Sequence, residues 1–353
     1  GFNLGNGGAP PDCCDMLIAQ STVPNPTSST DWVISTVDGT GYQGQNNSML
    51  DYQGRLVLAW NDATTGDLRV ALANTTTPLG ESDWLKYNID AASISGYETD
   101  IQEVDGLLAI SYLAQLSGLK YTRATTATPM SESDWVTMLI DPTGNCGNDA
   151  DMTILNGKPA IAHRVYDTGD FRLAQATTAT PTTDADWQQS VIEAAGTSNV
   201  KPTWYNGTSL GIAVSDGRLV TVYNDTTIKT LTFSQATVLE PTGPGDWLRY
   251  DLLPVGDIAG DLDLIESGGR LALAYLTDSN PAPDNNDGDL VVGRALTCAP
   301  ASLVDWAFTP ADPGTGAVPD VGYLPGICVI DNHFVVAHRV LFGINVTVSD
   351  GLW

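Results

Sequence analysis

Three short steps in this sequence pair an acid with an aspartate two residues on: Glu98-Thr-Asp100, Asp149-Ala-Asp151 and Asp261-Leu-Asp263. Residues i and i+2 of an extended strand share a face, so each step is expected to present two carboxylates together. Two such charges at 4 Å repel by about 1 kcal/mol in water and by several times that where water is scarce. A divalent cation relieves the repulsion, and Ca²⁺, which takes six to eight oxygens, suits these donors. Glu98, Asp100, Asp149, Asp151, Asp261 and Asp263 are therefore the candidate metal ligands, with Ca²⁺ the expected ion. Corresponding places elsewhere hold Ser48, Gly211 and Gly326, so packing does not demand acids there.

Paired carboxylates also cleave glycosidic bonds, one as acid and one as base or nucleophile. With 42 acids in the chain, no such pair stands out, and no catalytic residue is assigned. Serine-hydrolase, zinc-protease, P-loop and dinucleotide fingerprints are missing, as are sialidase-type Asp boxes. Of the three histidines, His163 and His338 share an Ala-His-Arg setting and read as core or inter-blade residues; the third is His333. A second candidate site is for ligand binding: Trp204 and Tyr205 in one insertion, and Asp284, Asp287 and Asp289 in another. The second run is rich in oxygen donors but lacks EF-hand spacing.

The elements that must position these residues come from a repeat. An Asp-Trp pair recurs six times, with its tryptophan at Trp32, Trp84, Trp135, Trp187, Trp247 and Trp306. The spacings, 52, 51, 52, 60 and 59 residues, are those of propeller blades. A second landmark alternates with it: Trp60, Tyr112, His163, Tyr223, Tyr275 and His338. Within a unit the pattern is four short alternating strands, a to d, bounded by Gly, Asn and Asp. Turns at Gly54, Gly106 and Gly157 suit two-residue hairpins between strands a and b.

The expected fold is all-β: one six-bladed β-propeller of four-stranded antiparallel blades, its ring closed by N- and C-terminal strands. Blades fall at about 46–91, 97–142, 148–194, 199–253, 260–309, and 320–353 completed by 15–38, after an N-terminal extension over 1–14. Closure by two-plus-two or three-plus-one strands is left open, because the tail INVTVSDGLW competes for the place of strand c. In blade four the match of RLVTVYND to RLVLAWND sets the preferred register; an alternative puts WYNG in strand a. Strand parity places the two insertions, the acid steps and Cys146 on one face, as binding faces of repeat proteins commonly are. The Asp-Trp tryptophans are expected to pack against the next blade, their aspartates to cap the c–d link.

The formal net charge of −27 disfavours nucleic acid as a partner and fits a cationic partner, divalent ions or high salt. No apolar run is long enough to span a membrane. Five cysteines (Cys13, Cys14, Cys146, Cys298 and Cys328) cannot all pair internally, and their spacing suggests neither zinc nor haem. The sequons at Asn46, Asn74, Asn206, Asn224 and Asn345 carry glycans only in a eukaryotic source. The opening Gly1-Phe2-Asn3 is what a processed chain or a fragment shows.

The segments GLLAISYLAQLSGLKYTRATTATP and GKPAIAHRVYDTGDFRLAQATTATP resemble a repeat of bacterial secreted and surface proteins, whose blades run A-I-S-Y-Y-D and then D-L-K-Y-x-R-A. The likeness covers residues 46–310 well and both ends loosely. It implies a propeller and an extracellular setting, and no established activity. The leading expectation is thus a non-catalytic binding or scaffold module, secreted or on the cell surface, presenting its elaborated face to a protein or glycan. The alternatives are a glycan-active hydrolase or lyase, and a structural subunit of a surface layer or filament.

Overall fold

A computed structural model describes residues 2–4, 15–24, 26, 28–91, 94–115, 117–143, 146–165, 167–194, 210–225, 230–253, 258–278, 290–312, 321–330, 333–340 and 343–348. The fold is a six-bladed β-propeller, as the repeat predicts. Among the described residues there is no α-helix, only six three-residue 3₁₀ turns, each ending on the aspartate of an Asp-Trp pair.

The chain divides into two compact units, Gly1–Asn148 with Thr177–Trp187, and Asp149–Ala176 with Gln188–Trp353. The first holds an N-terminal sheet (Phe2–Leu4, Asp15–Ser21, Trp32–Asp38) and two blades. Blade one is Gln45–Tyr52, Arg55–Asp62, Asp67–Ala73 and Trp84–Asp90. Blade two is Tyr97–Val104, Leu107–Ala114, Gly118–Ala124 and Trp135–Asp141. Most of blade three (Cys146–Leu155, Lys158–Val165, Asp170–Ala176, Trp187–Glu193) lies in the second unit. Blade four (Leu210–Ser215, Arg218–Asp225, Thr230–Ala236, Trp247–Asp251) follows it. Blade five (Ile258–Ser267, Arg270–Asp278, Leu290–Ala295, Trp306–Asp312) precedes a C-terminal sheet of Val321–Ile330, His333–Val340 and Gly343–Val348. The end sheets follow neither expected split. Each has three strands: Gly343–Val348 takes the third place beside His333–Val340, and Phe2–Leu4 adds to Asp15–Ser21.

Local chemistry explains the hairpins. Gln53-Gly54, Asp105-Gly106, Asn156-Gly157 and Asp216-Gly217 all take positive φ at both positions, the twist that matches antiparallel strands. In blade four Leu210 pairs with Tyr223, which is the preferred register. Strand b also shows a period of three blades. The landmark and its two successors read Trp-Asn-Asp, Tyr-Leu-Ala and His-Arg-Val in blades one to three, then Tyr-Asn-Asp, Tyr-Leu-Thr and His-Arg-Val in blades four to six. The residue after the landmark stands opposite the first apolar residue of strand c each time: Asn61 and Leu68, Leu113 and Leu119, Arg164 and Phe171. The second half repeats this with Asn224 and Leu231, Leu276 and Leu290, Arg339 and Ile344.

The core sits between neighbouring blades. One cluster joins blades one and two through Val57, Val70, Ile101 and Ile110; another joins blades four and five through Val222, Phe233, Leu264 and Leu273. Trp84, Trp135, Trp187, Trp247 and Trp306 are buried, but Trp32 is only half-buried. They pack against the preceding blade, not the next. The Trp135 indole donates to the Tyr87 hydroxyl (3.1 Å) and Trp306 to that of Tyr250 (2.9 Å). Each aspartate before a tryptophan caps its link as expected. Asp134 accepts from the N–H groups of Met130 (2.8 Å) and Ser131 (3.2 Å), and Asp186 from those of Thr182 (2.8 Å) and Thr183 (3.0 Å).

Candidate active site

All six strand-b landmarks are buried, and three of them meet a carboxylate of the preceding blade. The carboxylate that ends strand d of one blade reaches the landmark of the next. Tyr112 donates to Asp90 at 2.8 Å, Tyr223 donates to Glu193, and His338 Nε2 lies 3.4 Å from Asp312. Burial, with the adjacent carboxylates, holds both tyrosine hydroxyls well above their ordinary range, so they remain donors. A cation on strand c, directly across from the landmark, neutralises the carboxylate in the first two blades. Lys120 lies 2.6 Å from Asp90, and Arg69 lies 3.2 Å from Asp38, with Lys86 at 3.5 Å. These are inter-blade clasps, and His338 is part of one.

The acid steps are arranged differently from the expectation of two carboxylates on one face. A bulge interrupts strand a between Tyr97 and Asp100, and again between Ala259 and Leu262. Glu98 and Asp149 take left-handed backbone, with φ of 49° and 45°. One extra residue breaks the two-residue alternation, so the members of a step part company. Asp149 and Asp261 are 1% and 3% exposed, whereas Glu98, Asp100, Asp151 and Asp263 are half-buried.

Two of the second acids have partners in the first strand of the following sheet. Asp151 accepts from the Ile212 N–H (2.8 Å) and Asp263 from the Ile327 N–H (2.9 Å). Ser48 does the same work in blade one: it accepts from the Ile101 N–H (3.1 Å) and donates to Asp100 (3.2 Å). A neutral serine thus makes the same contact as an acid at this position. Among the described residues no group of three His, Cys, Asp or Glu side chains is placed to hold a metal ion.

The first acids are the more unusual groups. Asp149 faces Arg164, its Oδ2 3.7 Å from the guanidinium Nε, with side chains 1% and 2% exposed. The same guanidinium donates through Nη2 to the Asn224 carbonyl of blade four (3.2 Å). A fully buried ion pair is weak evidence for stability, because desolvation consumes most of the attraction. Strained backbone of the kind seen at Asp149 gathers at functional sites. Sequence reasoning paired Asp149 with Asp151 and missed Arg164, although the Ala-His-Arg triplet was visible.

Trp204, Tyr205, Asp284, Asp287 and Asp289 lie outside the described residues, as do Cys13 and Cys14. Cys298 and Cys328 are exposed free thiols. Of the sequons, Asn74 is exposed, but Asn224 is 3% exposed and its side chain is closed to a glycan.

No protein-family model matches the chain. No curated protein matches it either. Solved structures do. The chain is similar to an α-L-arabinanase from Penicillium chrysogenum complexed with arabinobiose, at 13% identity and a TM-score of 0.53, over 86% of this chain and 92% of that one. It is also similar to an arabinanase from Bacillus subtilis (13% identity, TM-score 0.40, 86% and 93% covered). A third is an exo-β-1,3-galactanase from Phanerochaete chrysosporium (11%, TM-score 0.44, 88% and 68%). At this identity the likeness is one of fold, and the first of the three carries it. It corrects the leading expectation of a non-catalytic module: the solved propeller that shares this architecture is an enzyme.

Among the described residues no helix is long and apolar enough to cross a membrane.

Proposed function

We propose that this chain is an exported glycan hydrolase that cleaves glycosidic bonds of a polysaccharide, with Asp149 and Asp261 as its carboxylates. The observation that carries the reading is the Asp149–Arg164 pair: a carboxylate on strained backbone in strand a of blade three, buried against a guanidinium. Asp149 serves as the base and Asp261 as the acid. Asp261 gives its proton to the leaving glycosidic oxygen as the C–O bond breaks. Asp149 takes a proton from the water that attacks the anomeric carbon, so one water is consumed per bond cleaved.

The shared fold with an arabinanase makes arabinan the first substrate to try. Export is supported by the secreted-repeat resemblance and by the net charge of −27. Reducing-end release from arabinan, galactan and xylan tests the reading. The parent is expected to release sugar, and Asp149→Asn and Asp261→Asn to lose about a hundredfold or more of that rate while melting like the parent. No release from any polysaccharide, or full activity in both variants, overturns it.

A further inference from the structure

Arg164 occupies a place that the fold fills with leucine in blades two and five and with asparagine in blades one and four. Leu113 and Leu276 stand at the same point of strand b in blades two and five, each opposite the first apolar residue of strand c, and both are buried. A guanidinium therefore answers no packing need there, and taking it out of water is costly. Blade six repeats the arginine as Arg339, but carries Leu324 two residues before Gly326, where blade three has Asp149. Blade three thus joins the cation to an acid step. The side chain spans a blade boundary, with Nε toward Asp149 and Nη2 on the carbonyl of Asn224.

We propose that Arg164 is a positioning residue for the reaction, one that keeps Asp149 ionised and fixed relative to blade four; this rests on Asp149 being the base of a glycan hydrolase. A guanidinium has donors in a rigid fork, so it can hold a carboxylate and a backbone carbonyl at once, which an ammonium does less well. The expected reach is therefore geometric as well as electrostatic.

The test uses the full chain and the variants Arg164→Lys, Arg164→Leu, Asp149→Asn and Arg164→Leu with Asp149→Asn. On the polysaccharide that the parent cleaves, Arg164→Lys is expected to lower kcat roughly tenfold and Arg164→Leu roughly a hundredfold, with KM within about threefold. Guanidinium added to Arg164→Leu should restore part of the rate, which a merely structural arginine would not allow. Arg164→Leu strands a buried carboxylate and can fail to fold; the double variant removes that charge, should fold, and should stay inactive.

A second measurement does not depend on activity. Difference infrared spectroscopy against Asp149→Asn follows the Asp149 carboxylate with pH. In Arg164→Lys or Arg164→Leu, whichever folds, it should take up its proton roughly one pH unit higher than in the parent. An unchanged protonation midpoint overturns the role of Arg164 whether or not the chain hydrolyses glycans. A shifted midpoint in a chain with no hydrolase activity overturns the catalytic reading and leaves a structural ion pair.

Discussion

Asp151 of blade three accepts a hydrogen bond from the backbone N–H of Ile212 in blade four, at 2.8 Å. Hydrogen bonds to charged acceptors contribute about 1.5–3 kcal/mol each. Asp151→Ala should therefore lower unfolding stability by about 2 kcal/mol, and Asp151→Asn, which keeps an acceptor oxygen, by about half of that. Urea denaturation with an unchanged slope is the measurement. A variant as stable as the parent would place the Ile212 N–H on another acceptor.

Trp84 is 5% exposed and belongs to a cluster with Met16, Ile18 and Trp60. Replacing it with alanine removes a large buried ring, at an expected cost of about 3–5 kcal/mol. A calorimetric melt close to that of the parent would contradict the packing role. By the same reasoning Trp32, which is half-buried, should tolerate alanine better.

Backbone N–H groups of Thr182 and Thr183 hold the Asp186 carboxyl below its usual range, and those of Thr242 and Gly243, with the Thr242 hydroxyl, do the same for Asp246. A carboxylate with a lowered folded value adds stability above the unfolded value, near pH 4, and loses it as pH falls through the folded one. Melting temperature should therefore be flat from neutral pH to about pH 5 on this account and decline below pH 4. Asp186→Asn should shrink that decline, and an identical acid limb in the variant would count against the cap.

Self-repulsion should also be measurable, because 42 acids face 15 bases. Raising salt from low ionic strength shortens the screening length to about 8 Å near 0.15 M, so the melting temperature should rise with added NaCl. The buried pairs at Asp90 and Asp149 are shielded from solvent and should change little. A melting temperature that falls with salt would mean that attractive surface pairs, and not net repulsion, dominate the exposed charge balance.

The blade count, the strand pattern and the hairpin turns were legible in the chain because each rests on short-range chemistry. Asp-Gly and Asn-Gly turns need no distant partner, and the Asp-Trp cap closes within five residues. The burial of the strand-b landmarks was legible for a related reason: a position filled six times by Trp, Tyr or His is a packing position.

What tertiary structure decided begins with the acid steps. Alternation put Asp149 and Asp151 on one face, but the left-handed backbone at Asp149, invisible in residue types, goes with one acid buried beside Arg164 and the other bonded to a backbone N–H of the next blade. Both partners lie across a strand or blade boundary, where no local pattern reaches. The chain ends are the second case. Two segments suit the same third place in a sheet by sequence alone, and the choice of Gly343–Val348 beside His333–Val340 depends on pairing between strands. Sequence thus determines which segments become blades, through turns and periodicity acting over a few residues. Charge placement depends on which blade follows which, and only the assembled neighbours supply that.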